Sequence, residues 1–213
     1  MGLCMNIIII GAGGQSRVVI DILEQDSNVV ISGIVDNFSS LDDHVEGYPI
    51  IGKTDDLAQI VSDHNIQAAI IAVGNNKIRK EYFELCQKHG LIMYNAIHPD
   101  ASIAPKATIG IGNVIAREAI ICTNASIGNN TIINTGSIIE HESIVADHAQ
   151  VCPGVNIAGR TKIKESAFIG IGVTVIHNIT IGANTVIGAG SVVITNIEDN
   201  CTAVGVPCKV IKK

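Results

Sequence analysis

Isoleucine or valine recurs every six residues, without a break, from Ile97 to Val193. The series is Ile97, Ile103, Ile109, Ile115, Ile121, Ile127, Ile133, Ile139, Val145, Val151, Ile157, Ile163, Ile169, Val175, Ile181, Ile187 and Val193. A helix repeats apolar residues near 3.6 and a half-buried strand near 2, so neither explains a strict six. The period predicts a parallel β-helix, in which short strands coil around a packed axis. Four positions after each aliphatic stands a small or β-branched residue, from Ala107 through Ser137 and Ser143 to Ser191, with Asn113 the exception. Directly after the aliphatic, glycine is frequent: Gly110, Gly128, Gly170, Gly182 and Gly188. These glycines are read as corners that need unusual φ/ψ.

Residues 6–95 lack this period. Asn6–Ile10 reads as a buried strand, Arg17–Gln25 as a helix packed on a sheet, and Val29–Val35 as a second strand ending at Asp36. Tyr48–Gly52 is a short extended piece. Thr54 is read as the N-cap of a helix from Asp55. Ala68–Val73 is a strand, Ile78–His89 a helix closed by Gly90, and Leu91–Asn95 a strand. Alternating β and α elements predict a small parallel sheet of Rossmann type. The expected domains are therefore residues 1–95, α/β and Rossmann-like, and residues 96–213, the β-helix. Met1–Met5 are read as leader residues ahead of the first strand.

Composition fits this division. Of 213 residues, 47% are hydrophobic, ample for two cores. Aromatics are only 3%, as suits a core of stacked Ile and Val. A net charge of −6 argues against a nucleic-acid surface. The six cysteines have no CxxC pair and no secretory signal, so they read as reduced thiols in a cytosolic protein, with no metal site. The run Ile7–Ile10 is too short to span a membrane.

Candidate chemistry lies in both halves. Gly11, Gly13 and Gly14 follow a strand and open a helix, a turn that offers backbone N–H groups to a phosphate. Asp36 could bind a ribose hydroxyl. Gly74-Asn75-Asn76-Lys77-Ile78-Arg79 sits at the C-terminal end of a strand, where open α/β sheets bind ligands. Phosphate contact and a solvated helix face are equally open for Lys77 and Arg79. In the solenoid, Asn134-Thr-Gly-Ser-Ile-Ile-Glu-His-Glu142 stands out in a region poor in charge. His141 falls two residues past an inward aliphatic and should project outward. Imidazole suits removal of a nucleophile's proton near neutrality. Glu140 or Glu142 could orient the ring. A plain surface histidine is the alternative.

Together these motifs resemble the PglD-like nucleotide-amino-sugar N-acetyltransferases, hexapeptide-repeat enzymes related to the NeuD-like sialic-acid O-acetyltransferases. The motifs are the hexad solenoid, Gly-Ala-Gly-Gly, Gly-Asn-Asn-x-x-Arg, Asn-Thr-x-x-x-x-Glu-His-Glu and Gly205-Val-Pro-Cys-Lys209, in one order over nearly the whole chain. The resemblance implies a left-handed β-helix. It also implies acetyl transfer from acetyl-CoA to a nucleotide-linked 4-amino-sugar in bacterial glycan synthesis, with UDP as the expected nucleotide. It makes His141 the general base, supported by Glu142. It puts Asn134 and Thr135 near the sugar, and Gly11, Gly13, Gly14, Asp36, Gly74 and Asn75 around the nucleotide-sugar. Gly159, Ile171, Gly188, Ala189, Gly205, Pro207 and Lys209 line the coenzyme A slot. A cytoplasmic homotrimer, with coenzyme A between neighbouring solenoids, is part of the same expectation.

One departure stands out. Such proteins often carry a second histidine nine residues after the first, where this chain has Gln150, which can still donate a hydrogen bond to the acetyl carbonyl. His148 would face elsewhere, His177 is read as a corner residue, and His98 has no role. Three other functions compete: O-acetylation of a sugar, an NAD-dependent oxidoreductase, and a non-catalytic nucleotide-sugar scaffold. For the oxidoreductase, no proton-donor pair stands near the glycine turn.

Overall fold

The structure, a computed structural model, describes residues 4–213. Met1–Leu3, part of the expected leader, lie outside the described residues. Met5, also expected in the leader, already opens the first strand. The chain divides into two compact units, residues 1–97 and 98–213.

The first unit is α/β. Its sheet is built on β1 (Met5–Ile10), β2 (Val29–Val35), β3 (His44–Val45), β4 (Tyr48–Gly52), β5 (Ala68–Ile71) and β6 (Ile92–Met93). The order is β3-β4-β2-β1-β5-β6, parallel except for the β3–β4 pair. Ile7, Ile8 and Ile9 are fully buried at its centre, which is why the sequence reads as an unbroken apolar run. The helices are α1 (Gly14–Leu23), α2 (Leu57–Asp63) and α3 (Asn76–Lys88). Helices α1 and α3 begin earlier than expected, because the glycine turn and Asn75 are themselves the helix starts.

Two readings are corrected here. Thr54 does not cap α2. Its N–H and hydroxyl both donate to Asn37 Oδ1, at 2.9 and 3.0 Å, and a 3₁₀ turn follows before α2. Arg79 is neither solvated nor free for a phosphate. It is 1% exposed, with Nη1 donating to the carbonyl of Val73 at 3.2 Å. Burial lowers its pKa to about 10.

The second unit is a left-handed parallel β-helix. Strand pairs repeat at eighteen residues, as in Val114↔Ile132, Ile120↔Ile138 and Ser126↔Ile144. Each coil thus lays one two-residue strand on each of three faces. We call the corners leaving the Val114, Ile120 and Ser126 faces the first, second and third ridges. The aliphatic series from Ile115 to Val193 is buried, and the small residues four positions on are buried with it. Ile97 departs from the series at 36% exposure. Asn113 earns its inward place by polarity: its Oδ1 accepts from the N–H and hydroxyl of Thr131, one coil on.

The corner chemistry differs from expectation. Residues with left-handed φ occur at every sixth position from Gly112 to Gly190, three places after each aliphatic. The glycines directly after the aliphatic do not have such φ. They are small because the next coil approaches closely: a Cβ on Gly170 would lie 2.7 Å from Ala189 N and Ile187 O. At the C-terminal end, Thr202–Val204 pairs antiparallel with Lys209–Lys212 across a turn containing a cis Val206–Pro207 bond.

Candidate functional site

In the first unit, a cleft of about 240 Å³ opens where strand order reverses, at the C-terminal ends of β1, β2 and β5. Gly11, Gly13, Gly14, Asp36 and Gly74 line it, with Phe38, Ile78 and Tyr82. Gly11 has φ +107, and a Cβ there would strike Val73 and Ala72, so only glycine fits. At Gly13 and Gly14 a Cβ would meet nothing, and the first N–H groups of α1 have no partner within the helix. Asn75 caps α3, its Oδ1 accepting from the N–H groups of Lys77 and Ile78, both at 3.1 Å.

Asp36 organises the loop after β2. One carboxylate oxygen accepts from Ala12 N at 3.2 Å. The other accepts from Phe38 N at 3.0 Å, and from the N–H and hydroxyl of Ser39 at 2.8 Å. Partial burial raises its pKa, but the bonds from Ser39, Phe38 and Ala12 outweigh that and hold it below the ordinary 3.8. Phe38 is left 93% exposed at the cleft. The sequence reading passed over Asn37, Phe38 and Tyr82. The signal was their place: Asn37-Phe38 follows Asp36 directly, at a strand end.

In the second unit, His141 stands on the second ridge with its side chain 44% exposed. Its Nδ1 lies 3.1 Å from Glu142 Oε2. Glu140 instead accepts from the backbone N–H of His141, at 3.1 Å, so Glu142 is the carboxylate that meets the ring. Glu142 reaches back because its φ is +59. Arg160, one coil on, places Nη1 3.9 Å from the same carboxylate and donates through Nε to Asn178 Oδ1 at 2.9 Å. The sequence reading missed Arg160, although counting eighteen from Glu142 finds it.

The other expected residues divide between ridges. Asn134 and Thr135 lie on the first ridge, the Asn134 Oδ1 accepting from Thr135 N at 2.9 Å. Ile171, 61% exposed, and Gly188-Ala189 follow on that ridge, coil by coil. Gly205 and Pro207 lie in the turn after Thr202–Val204, and Lys209 opens the last strand. Gly159 lies on the second ridge, directly against the His141 ring. Gln150 is buried at 7% exposure, its amide Nε2 3.8 Å from Cys152 Sγ. His148 is also buried, its Nδ1 2.8 Å from Asn130 Nδ2. His177 is exposed on the second ridge, and buried His98 accepts from Asp100 N through Nδ1 at 3.0 Å.

Residues 6–86 match the family model described as the PglD N-terminal domain, and residues 160–195 match that of the bacterial transferase hexapeptide (six repeats). UDP-N-acetylbacillosamine N-acetyltransferase of Bacillus subtilis (strain 168) is 35% identical over 115 residues, 52% of this chain. That match spans 50% of the curated relative's length. A histidine-to-asparagine variant of perosamine N-acetyltransferase from Caulobacter crescentus was solved with CoA and GDP-perosamine. It is 32% identical, with TM-score 0.93, over 98% of this chain and 97% of that one. The acetyltransferase domain of PglB from Neisseria gonorrhoeae FA1090, in complex with acetyl coenzyme A, is 30% identical. Its TM-score is 0.90, over 98% of this chain and 100% of that one. Among the described residues, no helix is long and apolar enough to cross a membrane.

Proposed function

The chain belongs to the PglD-type family of hexapeptide-repeat sugar N-acetyltransferases, and we propose that it moves an acetyl group from acetyl-CoA to the amine of a nucleotide-linked 4-amino-sugar. The observation that carries this reading is the 3.1 Å contact between His141 Nδ1 and Glu142 Oε2 on an exposed ridge. With Nδ1–H donated to the carboxylate, Nε2 keeps its lone pair. The neutral sugar amine attacks the thioester carbonyl and gives its proton to Nε2. The tetrahedral intermediate then expels the CoA thiolate, which takes the proton back as the thiol.

The cleft of the first unit is assigned to the nucleotide-sugar. The glycine turn at the start of α1 suits the diphosphate, and the exposed Phe38 ring offers a face to the base. Relatives carry either UDP or GDP in their names, so the nucleotide is proposed here only as a diphosphate. Coenzyme A is assigned to Ile171, Gly188, Ala189 and the Gly205–Lys209 segment. We place the protein in the cytoplasm, where acetyl-CoA is made available, as a homotrimer.

The test is mass spectrometry of UDP-, dTDP- and GDP-linked amino-sugars incubated with acetyl-CoA and protein. The expected product carries one acetyl group on nitrogen. His141→Ala should lower kcat by about 10²–10⁴, the range for one positioned base. Acetylation of a hydroxyl alone, or a wild-type rate from His141→Ala, overturns the reading.

A further inference from the structure

Position 159 is glycine because of the His141 ring, and we propose that Gly159 is a positioning residue that fixes where that ring can stand. The inference rests on His141 as the base. The backbone does not require glycine here, since Gly159 is not among the residues with left-handed φ. The space does. A Cβ at Gly159 would lie 2.5 Å from His141 Nε2, 2.6 Å from Cε1 and 3.0 Å from Cδ2. At Gly170, by contrast, the added atom strikes only backbone, so that glycine serves coil spacing. The same corner carries Thr123 one coil before His141 and His177 one coil after Gly159. The corner itself therefore accepts a side chain.

The ring is bounded on two sides. Glu142 holds Nδ1 from its own coil, and the bare backbone of Gly159 lies beneath Nε2 and Cε1. A methyl group at 159 would displace the movable partner, which is the ring and not the coil. The ring would swing, and the alignment of Nδ1 with Glu142 and of Nε2 with an incoming amine would go with it. Misplacement of a reacting group by about 1 Å can cost about 10² in rate.

The test is a double-variant cycle with acetyl-CoA and the amino-sugar that the wild-type protein accepts. Gly159→Ala, at a position also expected to line the coenzyme A slot, should keep the thermal midpoint while kcat at saturating acetyl-CoA falls about 10–10²-fold. In a His141→Ala background the same change should cost nothing further. A multiplicative loss in that background, a wild-type kcat, or a loss explained by weaker coenzyme A binding overturns the proposal. If His141→Ala retains full rate, the base assignment fails by itself. Nitrogen-edited NMR then judges the ring contact alone. The His141 ring resonances should move in Gly159→Ala, and unmoved resonances reject it.

Discussion

Asp36 shows how one carboxylate can build the wall of a cleft. Three backbone N–H groups and the Ser39 hydroxyl hold the loop that carries Phe38. Because those bonds favour the charged form, its folded pKa lies below the unfolded one. The stabilisation is then complete above the ordinary value of 3.8 and is lost as pH falls through the lower, folded value. We expect Asp36→Asn to lower the thermal midpoint near neutral pH. The gap from the wild type should narrow as the pH drops below 3.8. Melting curves from pH 3 to 7, on the scale set by carboxylate titration, measure this; a gap independent of pH rejects it. At this scale the sequence was legible where chemistry is local. The adjacent His141 and Glu142 do meet. It was misread where the partner lies outside the residue's own element, as with Thr54 on Asn37 and Arg79 on the Val73 carbonyl.

The two-residue strands of the β-helix are set by the hexad, and the corners between them by left-handed residues. On the first ridge that place is Gly136, Gly154, Gly172 and Gly190, but Glu118 one coil earlier. Left-handed φ costs a side-chain-bearing residue about 1–2 kcal/mol, less for Asn. We expect Glu118→Asn to gain about 0.5–1 kcal/mol in chemical unfolding, the usual yield of relieving such a site. No gain would mean that the glutamate side chain offsets its own backbone strain. Glu142 at the corresponding place on the second ridge should gain stability in the same way on change to Asn, but at the expense of turnover. Period alone located the strands but not the cause of the corners. The glycines after each aliphatic were taken for turns, and only the stacking of coils shows them to be spacers. The hairpin of β3 with β4 escaped the sequence reading because two residues carry no periodicity.

Over the whole molecule, the residues assigned to acetyl transfer occupy two ridges. His141 and Gly159 stand on the second, while Thr135, Ile171 and Ala189 stand on the first. In the homotrimer proposed above, a neighbouring chain brings its own first ridge alongside the second ridge of this one. Light scattering should therefore give the mass of three chains. Mixed trimers of His141→Ala with Ala189→Trp should recover activity that neither variant has alone. A fully active monomer, or no recovery on mixing, refutes the shared site. The eighteen-residue pairing that creates these ridges also limits how such a chain can change in length. Gain or loss of one full coil returns every later side chain to its own ridge, one rung along. Gain or loss of six residues keeps the core aliphatic yet carries each later residue to a different ridge, parting His141 from everything beyond it. A single inserted codon does worse, turning the inward series outward for the rest of the solenoid. Inheritance can therefore edit this half of the gene in units of a coil.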